Sequence, residues 1–399
     1  LVAVPEDVSE TEVRTGDAVG APLGFVTYAA NAGIKDESLD LSIVASETPC
    51  VAAGVFTQSL FVGPSVTLCR RHLEDGSARA IVTVSKNANV ATGLQGERDA
   101  AELAALAAGA VGCPADEVLV GSTGVIGRPY PMERIRGHFR ALQRPSTADF
   151  PSVARAIMTT DTVPKLASTR VGQATVTGVA KGSGMIEPNM ATLLAYVVTD
   201  AAVPRNELER VFRSVVDATF NSLSIDTDTS TSDTALVLAN GAAGPVAGPE
   251  LEAALRRVCG SLVLQLAADG EGATKVIEVT AGSAKDIAQA KRVAKSVVNS
   301  PLLKSAVHGA DPNWGRVIMA IGKCSDETGI VPEAVRVAFG DLEVYPRQLD
   351  GDDLAELSEI MRSDIVHIDI TLGAGEATAT VWGCDLSADY VRINADYTT

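Results

Sequence analysis

Residues 181–196 read KGSGMIEPNMATLLAY. Gly182, Gly184 and Pro188 let the backbone turn sharply, and the apolar residues from Leu193 onward continue as a strand. One reading is a plain loop-to-strand turn, with Thr192 an ordinary strand residue. The other makes Thr192 a nucleophile that the turn exposes. A threonine hydroxyl needs a base. At a chain N-terminus it carries its own, because an α-amine titrates at roughly pH 8. Cleavage of the Ala191–Thr192 bond would therefore arm an inert residue. This loop is also the most conspicuous place to divide the chain, into 1–191 and 192–399.

Composition narrows the partners. The 399 residues carry a formal net charge of −17, with 46% hydrophobic and 21% charged residues. Such a chain can build large cores, and its charge opposes binding to nucleic acid or anionic membrane. The six cysteines form no CxxC pair and the four histidines are far apart in sequence, so reduced core cysteines and no metal site are expected. No signal peptide or membrane-length apolar run is evident, and a cytoplasmic location is expected.

Strand patterns fall at 42–45, 51–56, 80–84, 117–120 and 174–180, and again at 234–239, 275–280, 334–339, 365–371 and 377–382. Helical patterns cover 97–110, 132–142, 150–158, 206–220, 250–268, 285–297 and 353–362. Asp149 is the expected N-cap of the third. The mixture points to helices layered on sheets rather than to a clean parallel wound sheet.

Five further segments could carry chemistry. GSTGVIGR (121–128) follows the strand-like DEVLV, and backbone N–H groups at such a strand end can hold a developing oxyanion. SIDTDTSTSDT (224–234) contains an Asp-x-Asp resembling that of haloacid-dehalogenase-like phosphatases. The preceding NSLSI is too polar for a buried strand, so a side-chain-bonded loop around Asp226 and Asp228 is the better reading. DGEGATK (269–275) stops a helix and can present the Glu271 carboxylate to an amine. HGADPNWGR (308–316) reads as structural, with Trp314 packed and Arg316 paired to an acid. NADYTT (394–399) follows the strand-like GCDLSADYVRI, and its asparagine and hydroxyl could complete a pocket.

Together these segments resemble the ornithine acetyltransferase family, also called the glutamate N-acetyltransferase or ArgJ-type family. The resemblance runs from about Gly24 to Thr399. It rests on NANVATG (87–93), STGVIGR (122–128), MTTDT (158–162), KGSGMIEPNMATLL, SIDTDTSTSDT, DGEGATK, DPNWGR and NADYTT, in the family's order. It implies an α+β fold, a layered sandwich of helices on β-sheets of the DmpA and ArgJ kind, in two structural halves. It implies self-cleavage between Ala191 and Thr192 into an α chain carrying the oxyanion hole and a β chain beginning with the nucleophile. Thr123 and Gly124 match the oxyanion positions. Thr160, Lys181, Thr192, Glu271, Asn394 and Thr399 match the substrate-contacting positions. The implied reaction moves acetyl from N-acetylornithine to glutamate through an acetyl-threonine. It uses no metal or cofactor, with acetyl-CoA as a further donor in some members, in a cytoplasmic dimer of cleaved heterodimers.

Glu187 places a negative charge where many members carry a small or neutral residue, and this version of the motif also resembles the branch found in clavulanic-acid-type clusters. The competing readings are such a specialised paralogue, an amidohydrolase or aminopeptidase in which water replaces glutamate, and a processing-dead structural protein. The last would lack Thr192, Thr123 or Gly124, and all three are present.

Overall fold

A computed structural model describes residues 12–35, 37–187, 193–327 and 329–396. Thr192, Ala191 and Thr399 lie outside the described residues. The fold is α+β, with helices layered on two sheets.

The chain first lays down β1 (Arg14–Thr15), β2 (Phe25–Ala30), β3 (Leu41–Phe56), α1 (Pro64–His72), β4 (Ser77–Val84), α2 (Gly93–Val111), β5 (Val118–Ser122), α3 (Met132–Ala141), α4 (Phe150–Ala156), β6 (Lys165–Val171) and β7 (Ala174–Lys181). It continues with β8 (Leu194–Ala202), α5 (Arg205–Ala218), β9 (Thr234–Pro245) and α6 (Gly248–Ala268). Among the described residues, the nine strands so far form one sheet in the order β1-β6-β7-β8-β9-β3-β4-β5, with β2 beside β3. Seven of these strands precede residue 188, and two, β8 and β9, follow residue 193 and sit in the middle of the sheet.

The centre is apolar on both faces, as expected for strands covered on both sides. Along β8, Leu194, Tyr196 and Val198 face a core with Leu68 of α1, Leu103 of α2 and Val153 of α4. Ala195 and Val197 face Phe212 of α5 and Val258 and Leu262 of α6. The buried Tyr196 hydroxyl accepts from Thr83 Oγ1 at 2.9 Å, so its polar end is satisfied.

The rest of the chain, β10 (Val276–Ala284), α7 (Ile287–Val298), α8 (Pro301–Gly309), α9 (Gly315–Gly322), β11 (Arg336–Phe339), β12 (Leu342–Tyr345), α10 (Gly351–Ile360), β13 (Ile365–Thr371), β14 (Ala377–Cys384) and α11 (Ala388–Asp396), builds a second sheet ordered β12-β11-β13-β10-β14. One face of this sheet packs on α7 to α10 around Val293, Val317 and Phe339. The end of α6 leans on β14.

The structure adds β1, β2, β6, β12, α1, α8 and α9 to the elements patterned in the sequence, and it departs from the pattern elsewhere too. The stretches 42–45 and 51–56 belong to one 16-residue strand, β3, whose pairing with β4 shifts register between Ala45 and Cys50. The segment before Asn394 is helical, not extended, because Ala388–Asp396 turns back over the DGEGATK loop after β14. NSLSI belongs to no strand, as expected, yet it is buried despite its serines: Leu223 and Ile225 enter the core, and the Ser224 N–H bonds to Trp382 O at 2.8 Å.

Asp149 caps α4, accepting from Ser152 N at 3.0 Å. Trp314 packs against the second core, and Arg316 pairs with Asp311 at 3.4 Å. All six cysteines are free, and burial pushes the thiols of Cys50 and Cys384 up to about 11. Among the described residues no helix is long and apolar enough to cross a membrane, and no group of His, Cys, Asp or Glu is placed to hold a metal.

The α6–β7 contact is closed at a glycine. A Cβ on Gly178 would fall 2.8 Å from Val258 Cγ1 and 2.9 Å from Leu262 Cδ1. Gly178→Ala is expected to destabilise by about 1–3 kcal/mol in denaturant unfolding, because the tight core must give way. Gly109→Ala, in α2 with nothing within 4 Å of the new methyl, is expected to stabilise by about 0.5–1 kcal/mol.

Candidate active site

Loops from the carboxyl ends of β5 and β7 meet the loops after α4 and α6 and the helix α11. They enclose a cavity of about 90 Å3. Thr123, Gly124, Thr160, Lys181, Glu271 and Asn394 all line it. Leu193, the residue bonded to Thr192, lines it as well. Residues spread over some 270 positions of sequence are thus brought to one cleft.

Lys181 ends β7, opposite Leu194 in the β7–β8 register. Its Nζ donates to Thr123 Oγ1 at 3.0 Å. Burial pushes the Lys181 amine below the ordinary lysine range, although Asp161, Asp233 and Glu271 pull the other way. The Thr123 N–H is bonded to Val84 O at 3.2 Å. The Thr123 amide is thus spent on the pairing of β5 with β4, while its hydroxyl meets Lys181. At Gly124 φ is +121°, and a Cβ would stand 2.3 Å from the Lys86 carbonyl carbon, so only glycine fits.

Asp161 organises the neighbouring backbone. It accepts from Thr159 N at 3.0 Å and from Gly182 N at 2.6 Å. Its third partner is Lys165 Nζ at 2.6 Å, and Lys165 also reaches Asp269 at 2.6 Å. Burial works to raise the Asp161 pKa, but the Lys165 and Lys181 cations outweigh it and hold the carboxyl below the usual range. Asp269 in turn accepts from the Thr162 N–H at 3.0 Å and from the Thr162 hydroxyl. Thr160 Oγ1 lies 2.6 Å from Ser183 Oγ.

Glu271 N donates to Ser183 O at 2.8 Å, and Asn394 Nδ2 donates to Glu271 Oε2 at 2.7 Å. A side chain on Gly184 would collide with this carboxylate, its Cβ falling 2.4 Å from Oε2. Gly184 thus serves a close approach to Glu271.

The Asp-x-Asp motif forms a side-chain-bonded turn. Both Asp226 oxygens accept backbone N–H groups, from Met185 at 2.6 Å and Ile186 at 2.8 Å, and Asp228 N caps the turn at 3.3 Å. The same motif also places Ser230, Ser232 and Asp233 in the cavity wall. Sequence reasoning missed these three because it weighed only the two aspartates at the front of the motif. It also gave no role to NANVATG. That loop, entered through Lys86, holds Asn89 and Ala91 at positive φ and locks onto the segment after β5 through Ala88 N to Val125 O at 3.0 Å and Gly127 N to Val90 O at 2.8 Å.

A profile of the ArgJ family matches residues 26–399. The arginine biosynthesis bifunctional protein ArgJ 2 of Nostoc sp. is 55% identical over 96% of this chain and 99% of its own. The glutamate N-acetyltransferase Oat2 of Streptomyces clavuligerus is 53% identical over 95% of this chain and 98% of its own. A crystal structure of ornithine acetyltransferase from Mycobacterium tuberculosis, complexed with ornithine, is 36% identical over 46% of this chain and 100% of its own, with a TM-score of 0.41. The chain belongs to the ArgJ family and is an acyltransferase.

Proposed function

We propose that this protein moves acetyl from N-acetylornithine to glutamate through an acetyl ester on Thr192, after self-cleavage between Ala191 and Thr192. The observation that carries the reading is the cavity that gathers Thr123, Gly124, Thr160, Lys181, Glu271 and Asn394 beside Leu193. The names of the relatives, arginine biosynthesis protein and glutamate N-acetyltransferase, agree with the substrate pair.

Cleavage frees the Thr192 α-amine, which serves as base for its own hydroxyl. The hydroxyl oxygen attacks the acetyl carbonyl of N-acetylornithine, and its proton passes through the amine to the departing nitrogen. The amide C–N bond breaks, ornithine leaves, and acetyl remains as an ester. The glutamate α-amine then attacks the ester, and the Thr192 oxygen recovers its proton. Both steps pass through a tetrahedral oxyanion, which the Gly124 N–H and the Thr123 hydroxyl stabilise twice over.

Ornithine and glutamate share an α-carboxylate, which the Lys181 cation receives. Glu271, held by Asn394, takes the ornithine side-chain ammonium. Thr160, and Thr399 from the chain end, contact the same substrates. The chemistry conserves an acyl bond, so it calls for no cofactor, and acetyl-CoA is a second donor to be tested. The cleaved halves remain together, as a dimer of heterodimers in the cytoplasm.

Intact mass of the denatured protein after brief exposure to N-acetylornithine tests the reading. The expected result is two fragments, the second starting at Thr192 and heavier by one acetyl. Thr192→Ala is expected to give one uncleaved, unmodified chain. Two fragments with no acetyl would move the donor elsewhere, and ornithine release that glutamate does not accelerate would favour the amidohydrolase reading.

The depressed Lys181 pKa gives a pH test. If the cation binds the carboxylate, kcat/KM falls as the pH rises through that pKa, earlier than for an ordinary lysine. Lys181→Met is expected to remove this alkaline limb and to lower kcat/KM by about tenfold to a hundredfold, the worth of a charged hydrogen bond. An unchanged limb in the variant would assign it to another group.

A further inference from the structure

The segment 182–187 leads from β7 toward the Ala191–Thr192 bond, and it is held at both ends by carboxylates. At the near end, Asp161 takes the Gly182 N–H at 2.6 Å. At the far end, Asp226 takes two successive amides, Met185 N on Oδ2 at 2.6 Å and Ile186 N on Oδ1 at 2.8 Å. The loop that carries Asp226 extends the grip. Ile225 N donates to Ile186 O at 2.7 Å, and Glu187 N donates to Asp228 O at 2.9 Å. Thr229 Oγ1 donates to Glu187 O at 3.1 Å.

The Glu187 side chain is fixed too. Ser224 Oγ donates to its Oε2 at 2.9 Å, Asn299 Nδ2 reaches the same oxygen, and Lys295 lies 3.9 Å from Oε1. The charge that departs from the family pattern thus has partners on two elements of the second half. Asp226 also meets the Tyr390 hydroxyl at 3.4 Å, on the helix that presents Asn394 to Glu271.

A carboxylate accepting two adjacent backbone N–H groups fixes both peptide planes at once, and such charge-assisted bonds are about twice as strong as neutral ones. Self-cleavage requires the scissile carbonyl and the threonine hydroxyl in near-attack geometry, and small displacements of the supporting chain cost rate steeply. Every residue from Gly182 to Glu187 except Gly184 makes a bond described above, and Gly184 is confined by Glu271.

We propose that Asp226 is a positioning residue for maturation: by gripping the Met185 and Ile186 amides it sets the register in which the following segment enters the cleft. The inference rests on the self-cleavage reading. Asp226 is absent from the cavity wall.

The test is the maturation rate of the full chain made by cell-free synthesis, followed by intact mass at intervals. Asp226→Asn keeps the shape and one acceptor oxygen, but turns an NH2 group toward the Met185 N–H. It is expected to slow conversion by about tenfold or more, the kinetic equivalent of one charged hydrogen bond. Its melting temperature should stay within a few degrees of wild type, and amide exchange should quicken only at 185–187. Slowing at unchanged stability separates positioning from a purely structural role.

Conversion at the wild-type rate in a folded Asp226→Asn protein overturns the proposal and leaves the self-cleavage reading standing. Failure of the wild type to mature removes both. If Asp226→Asn does not fold, Thr229→Val serves instead, since Thr229 is exposed and loses only its bond to Glu187 O. A few-fold slowing is then expected, and an unchanged rate overturns the proposal.

Discussion

The site depends on one buried cation. The Lys165 side chain has no solvent exposure and lies 2.6 Å from both Asp161 and Asp269. Desolvating three charges is costly, and their attraction offsets that cost only when the remaining lone pairs are satisfied. Here they are. Asp161 spends its other bonds on the amides of Thr159 and Gly182, and Asp269 on the amide and hydroxyl of Thr162. One ammonium therefore fixes the loop that carries Thr160, the exit from β7 behind Lys181, and the end of α6 that leads into Glu271. Replacing the triad by apolar side chains could retain stability, yet it would leave three site loops without a common reference. The charge triad specifies geometry, which a greasy contact does not.

The same network sets the electrostatics of the cleft. Lys181 is buried near Asp161, Asp233 and Glu271, and also near Lys165. Carboxylates favour its cation while burial and the second lysine oppose it, and the balance lies below an ordinary lysine. A cation held in that balance attracts an anion strongly, because little water competes for it. The −17 charge of the whole chain does not prevent this: two lysines placed inside the fold govern a cleft that surface charge, screened by salt, does not reach.

Much of this was legible in the sequence, for reasons that differ by residue. Strands such as Ile365–Thr371 and helices such as Gly248–Ala268 show their period directly, because one face or both must be apolar. Glu271 was visible as a carboxylate between glycines, although nothing local revealed that Gly184 makes room for it. Ala388–Asp396 was misread because a short amphipathic segment with Tyr390 and Val391 suits either period, and its docking on the Gly272 loop decides the matter. That the Thr123 amide is spent on Val84 O was not visible in the sequence, because strand pairing is a long-range fact. Lys165 gave no signal at all. A lysine opening a strand looks solvated until the aspartates at 161 and 269, a hundred residues apart, are seen to converge on it.

The topology bears on how a cut chain stays folded. Strands β7 and β8 are antiparallel neighbours, paired from Val176↔Thr199 to Lys181↔Leu194, and the proposed cleavage site lies in the loop that joins them. Cutting a loop between paired strands removes a connection but no pairing. Strand β8 is also paired in parallel with β9, and β9 with β3, so the two strands that follow the loop are wedged between β7 and β3. Their side chains are buried on both faces, against α1, α2 and α4 on one and α5 and α6 on the other. Separating the pieces would expose both faces and break the sheet on both sides, a loss far larger than the chain entropy released by one cut. A cut at the proposed site would therefore not loosen the sheet that holds the loops around the cavity in register. An interrupted central hairpin is an economical place for a nucleophile made by cleavage, since the groups it must meet belong to strands and loops that the cut leaves joined.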